Sequence, residues 1–212
     1  MTADDDIDLQ KPRLLDFILK DQLDNAVDCG QVLGQLFMNI ESPDRYIAEI
    51  KRLEEKGDRL TAEAYSAIEL LAYSEIIHMN EQFVQRLDDI VDGINNTSRL
   101  IDICRPRKIE DSAHEILSIL LSMIGRLRDE IVRYPVNDLA SVKDCRESLK
   151  RNEEAVDLIY HNWRKKQYRI LVLPLVDEAN WTEILGVLEH TTDSAYHAAV
   201  LLDRQTRYHQ RH

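Results

Sequence analysis

Eight carboxylates in this 212-residue chain fall into four pairs of one spacing: Glu54 and Asp58, Asp88 and Asp92, Glu153 and Asp157, Glu189 and Asp193. Residues four apart share a helix face, so each pair would offer its oxygens side by side. One such pair means little. With 39 acidic residues, chance gives about seven acidic pairs at this spacing, and the ordinary reading of each is a solvated face. Arrangement lifts these four. The octets "KRLEEKGD" from Lys51 and "KRNEEAVD" from Lys150 repeat each other, and the half-to-half offsets are 153 − 54 = 99 and 189 − 88 = 101. Glu54/Asp92 and Asp58/Asp88 are both centred on residue 73, and Glu153/Asp193 and Asp157/Glu189 on residue 173.

If each centre is a hairpin, two pairs lie level on antiparallel neighbouring helices, about 23 to 29 Å from the turn at 1.5 Å per residue. Each acid directly follows a residue of the apolar seam or its edge: Leu53, Gly57, Leu87, Val91, Asn152, Val156, Leu188 or Thr192. That puts the acids on the shoulder of the stripe, half-buried. Four carboxylates converging there repel one another and lose hydration. Protonation, basic partners or a bound cation must answer that cost. Lys51, Arg52, Lys150 and Arg151 can supply an ordinary salt-bridge network. A cation site is the other answer, and all-oxygen sets suit Mg²⁺, Mn²⁺, Ca²⁺ or iron. His161 and His197 stand one turn beyond Asp157 and Asp193, where the first half has Ala62 and Asn96, and imidazole would move the preference towards iron, zinc or nickel. They are weaker candidates than the carboxylates, and His190 and His78 weaker still.

The elements that must position these groups are helices. Apolar periodicity of 3.6 predicts six, at about 11–39, 44–72, 75–104, 110–133, 138–169 and 175–208, and no stretch alternates like a strand. Pro12, Pro43, Pro106, Pro135 and Pro174 fall where the pattern starts or stops. Ser42 reads as an N-cap before Pro43, Ser112 and Glu115 as a capping box, and Ser74 as the cap that breaks "AYSE" between the second and third helices. Helices one to three then repeat as four to six: two tandem three-helix bundles, residues 1–105 and 106–212, forming one compact unit joined through "RPRKIED".

Composition narrows the function classes. A net charge of −12 argues against nucleic acid and for a cation or a basic protein surface. Three scattered cysteines form no C-x-x-C pair and fit a reduced cytoplasmic setting. The N-terminus "MTADDDIDLQK" is acidic where a secretory signal is basic and then apolar. The longest apolar runs, "ILSILLSMIG" and "ILVLPLV", fall short of a membrane span, so any membrane association is expected to be peripheral.

With these features in hand, the chain resembles the PhoU-like family, and most of all its branch of phosphate transport regulators assigned to a domain of unknown function. That family is a tandem pair of three-helix bundles with E/D-x-x-x-D on two helices of each half. Here the hallmark reads "EEKGD", "DDIVD", "EEAVD" and "EHTTD", and "RLDDIVDGI" at 86–94 is the most characteristic string. The resemblance spans nearly the whole chain. It implies multinuclear metal clusters on the eight carboxylates, iron in some relatives and zinc or nickel in others, and a role as negative regulator or accessory protein of phosphate uptake. Two departures stand out: "LAYSEIIHMNEQF" replaces the usual proline-and-acid stretch, and the last motif, "LEHTTDSAYHAAV", is histidine-rich.

The expectation is a non-catalytic metal-binding regulator, with iron foremost and manganese, zinc and nickel as alternatives. It would dock on an inorganic phosphate transporter or a phosphate sensor, and apolar helix faces leave room for a homodimer. No nucleophile–base pair or phosphate-cradling glycine loop is visible. A di-iron carboxylate oxidase would need Glu-x-x-His on two helices of one core. The one E-x-x-H, Glu75–His78, lies far from the acidic pairs. A metal-free helical adaptor is the third reading.

Overall fold

A computed structural model describes residues 3–72, 74–134, 136–170 and 173–210, with residues 3–13 and 170 by their backbone alone. Its described residues form six helices and no strand: α1 (Ala3–Met38), α2 (Asp44–Glu69), α3 (Glu75–Cys104), α4 (Asp111–Ile131), α5 (Leu139–Ile170) and α6 (Leu175–His209). The all-α reading and the six helices therefore hold. α1, α2 and α3 pack against one another, as do α4, α5 and α6. Two further pairings cross between these groups, α1 with α4 and α3 with α6, each joining a helix to its repeat counterpart.

Both crossings are antiparallel. Along α1 and α4, Asp24 pairs with Arg128 and Phe37 meets His114 edge-on at 5.4 Å. Along α3 and α6, Gln205 donates to Asn80 at 2.8 Å near one end, while Gly93 faces Thr191 near the middle. α3 and α6 are buried along most of their length because helices press on several sides. Their contact is lined by small residues: Gly93, Thr97 and Ser98 meet a helix carrying Thr191, Ser194, Ala195 and Ala198. The buried hydroxyls satisfy themselves on their own helices, Thr97 donating to the Gly93 carbonyl at 2.9 Å and Thr191 to the Val187 carbonyl at 2.7 Å. Close approach is thus achieved without orphaned polar groups at those positions.

The turn between α2 and α3 is set by Ser74, whose hydroxyl accepts from the Ile77 N–H at 3.4 Å, as a β-region N-cap does. Three other boundary expectations need correction. α1 begins at Ala3, so Pro12 lies inside it; proline's fixed φ is itself helical, and the chain gives up one backbone hydrogen bond rather than the helix. At α2, Pro43 takes the cap position with helical dihedrals (φ −77°, ψ −25°), and its carbonyl receives the Tyr46 and Ile47 N–H groups without help from Ser42. At α4 the cap is Glu110, in extended conformation, so Ser112 is already within the first turn and makes no capping box. Pro135 lies outside the described residues.

One buried charge ties α5 to α6. Asp203, 2% exposed, accepts from Arg146 at 2.6 Å and from Arg207 at 3.1 Å. Removing it leaves Arg207 without this anion and Arg146 with only Glu147, 3.9 Å away. Because both arginines keep contact with water, the cost falls below that of a fully enclosed pair. Asp203→Ala is expected to cost about 2 kcal/mol, read as a lower urea midpoint at unchanged m-value.

Candidate metal centre

The hairpins bring six of the eight predicted acids together, leaving Asp88 and Glu189 outside the two groups. Glu54 and Asp58 of α2 and Asp92 of α3 place one carboxylate oxygen each within 4.8 Å of the others, and Glu153, Asp157 and Asp193 do the same between α5 and α6. The seam explains the placement. Leu53, Gly57, Leu87, Val91, Val156, Leu188 and Thr192 are buried and Asn152 partly so, leaving the next residue at the rim in each case, with Asp58, Asp92 and Asp157 exposed rather than half-buried. Gly57 permits close packing there, since a Cβ at that position would lie 3.4 Å from Asn25 Nδ2 and from Val91.

The fourth acid of each set behaves differently in the two halves. Asp88 is drawn to Thr61, which donates to it at 2.8 Å and accepts from buried Gln22 of α1 at 2.9 Å. Glu189 instead stands beside Asp157 within the second set, carboxyl against carboxyl. Burial pushes the Glu189 carboxyl up to about 7, with the charges of Asp193 and Asp157 adding to it. Burial likewise raises Asp92 to about 6, and the charges of Asp88, Asp58 and Glu54 push the same way. Asp88 and Asp193 are also raised, chiefly by burial. These are crowded anions short of counter-charge.

The salt-bridge alternative fares unevenly. Lys51 reaches Glu55 at 3.9 Å and Arg52 reaches Glu49 at 2.6 Å, and among the described residues no ion pair touches Glu54, Asp58, Asp88 or Asp92. In the second half Lys150 sits 2.6 Å from Glu153. The histidines stay outside both three-oxygen groups. His197 Nδ1 lies 2.8 Å from the Asp193 carbonyl, His161 is exposed, and exposed His190 reaches only to 3.9 Å from Asp193. His78 lies against Glu81 and Gln82 on α3.

Three carboxylates within one ion's reach, on two rigid helices, fit a hard cation that takes oxygen ligands at 2.0–2.6 Å or so. A titration follows from the raised carboxyls. Their folded-state pKa values exceed the unfolded ones, so the metal-free fold binds protons more tightly than the unfolded chain, and these groups weaken the fold as pH rises through about 6 to 7. In chelator, the melting temperature is expected to rise between pH 8 and pH 6, and excess divalent metal to reverse that slope. Differential scanning fluorimetry reads both.

A groove of about 980 Å³ runs beside the α3–α6 contact, walled by Glu54 and Asp92 of the first set and by His190 next to the second. The sequence pointed to neither Thr61 nor Gln22, because Thr61 is an ordinary helix threonine until α1 is packed behind it.

The fold and the two acid sets define an all-helical tandem bundle with paired carboxylate clusters. That fold is the PhoU fold. The chain superposes on a PhoU-like protein from Shewanella oneidensis MR-1 with a TM-score of 0.74 at 16% identity, covering 92% of this chain and 99% of that one. It superposes on the phosphate transport system regulatory protein PhoU from Streptococcus pneumoniae with a TM-score of 0.75 at 12% identity, covering 93% and 95%. No family model and no curated protein matches the sequence. Among the described residues no helix is long and apolar enough to cross a membrane.

Proposed function

We propose that this chain is a metal-binding, non-catalytic regulator or accessory protein of inorganic phosphate transport, docking on a transporter or a phosphate-sensing protein. The observation that carries the reading is the convergence of Glu54, Asp58 and Asp92 in one half and Glu153, Asp157 and Asp193 in the other. The shared fold supports it, since one of the similar structures is a phosphate transport system regulatory protein. Iron is the first expectation for the metal, with manganese, zinc and nickel as alternatives. Asp88 and Glu189 complete the two sets when a cation draws them in, the hardness of the oxygens favouring iron(III) or manganese.

In this role the protein does no bond chemistry. Cations neutralise two acidic faces and stiffen the hairpins that carry them, which fixes the surface offered to a partner. The test is phosphate uptake in source cells lacking the protein, complemented with the wild type or with Asp92→Asn/Asp193→Asn. Uptake is expected to change on deletion and to be restored only by the wild type. Unchanged uptake on deletion would overturn the transport role.

A further inference from the structure

The two carboxylate sets are not equivalent, and the difference lies in residues beside them. In the second half, Lys150 of α5 holds its ammonium 2.6 Å from Glu153 and 5.1 Å from the ring centroid of Tyr196 on α6. The aromatic face and the carboxylate together keep that cation at the set. In the first half the corresponding lysine is Lys51 (150 − 51 = 99), and Asn95 stands where Tyr196 does (196 − 95 = 101). With no ring to hold it, Lys51 turns out to Glu55 at 3.9 Å. Asn95 is 7% exposed. It lines, together with Glu54, both the large groove and a smaller one of about 350 Å³ beside it. An amide bordering open space next to a carboxylate set is a neutral oxygen donor that a cation in the groove can recruit.

Building on the metal-binding reading, we infer that the sets load in order: the first takes a hard divalent cation with Asn95 as an added oxygen ligand, and the second is held weak by Lys150 acting as a built-in competing cation. A tethered ammonium at a carboxylate must be displaced, or its repulsion borne, before a metal can enter, whereas Asn95 adds a ligand without adding charge.

Manganese(II) titration of chelator-stripped protein, with free Mn²⁺ followed by electron paramagnetic resonance, tests this. The wild type is expected to show two classes of site at least tenfold apart. Lys150→Met tightens the weak class about tenfold, Asn95→Ala weakens the tight class about tenfold, and Lys51→Met leaves both in place. Asn95→Asp, which keeps the oxygen and adds charge, tightens the tight class and covers a failure of Asn95→Ala to fold, judged by circular dichroism. One affinity class in the wild type, unmoved by Lys150→Met and Asn95→Asp, overturns the inference while leaving the metal reading intact. No Mn²⁺ bound at either set by the wild type overturns both.

Discussion

The double variant Asp92→Asn/Asp193→Asn is expected to lose its bound metal while keeping its helices. Each substitution removes an anionic oxygen from a group of three whose atoms lie within 4.8 Å. An amide oxygen remains, but a hard-cation site stripped of one of three charges loses affinity by about a hundredfold or more. The fold should not suffer. Asp92 is a crowded anion whose carboxyl is pushed up to about 6 by burial and by Asp88, Asp58 and Glu54, so a neutral isostere relieves repulsion. Metal-free variant protein is therefore expected to melt no lower than metal-free wild type at pH 8, with the same far-ultraviolet circular dichroism. Plasma emission on dialysed protein gives the stoichiometry, and metal content equal to the wild type's would refute the assignment.

Gly93→Val is expected to cause the largest loss of stability of any single glycine substitution in the chain. A Cβ on Gly93 would lie 2.0 Å from Thr191 Oγ1 and 3.0 Å from both Thr191 Cβ and Cγ2. Rotating Thr191 about χ1 can turn its γ atoms aside but leaves Cβ in place at 3.0 Å, so no rotamer restores an ordinary contact. α3 and α6 must move apart, and they form the main joint between the two halves. Overpacking of this kind costs about 3 kcal/mol, a fall of roughly 6–12 °C in melting temperature for a chain of this size. Even Gly93→Ala should destabilise, although alanine in a helix interior ordinarily gains about 1 kcal/mol over glycine. Gly125 of α4 is the internal control. A Cβ there meets nothing within 4 Å, so Gly125→Ala is expected to raise the melting temperature slightly. Thr191→Ala in the Gly93→Ala background should recover part of the loss, which a double-mutant cycle measures.

Much of this was legible in the chain itself. Proline punctuation and apolar period place all six helices to within a few residues apart from the start of α1, and the mirror centres at residues 73 and 173 match Glu54 with Asp92 and Glu153 with Asp193, which do converge, whereas Asp88 and Glu189 stand outside the two groups. Those signals are local: a 3.6 period and a hairpin centre need no knowledge of the other half. What the pattern could not show depends on the third helix of each bundle or on the joint. Thr61 matters through Gln22 of α1, the first-half lysine turns to Glu55 rather than to its set, and Gly93 is critical only because α6 crosses there. Capping was the least legible part. Ser42 and Ser112 have the right chemistry, but Pro43 and Glu110 have backbone conformations that start the helix without them.

The most direct test of the central claim is the position of metal in a crystal of this protein soaked in manganese(II) and measured for anomalous scattering. Peaks between Glu54, Asp58 and Asp92 and between Glu153, Asp157 and Asp193, the first the stronger at limiting metal, are the predicted result. A well-occupied manganese site elsewhere with neither carboxylate set bound, or no peak at all from a folded, fully soaked crystal, would contradict it.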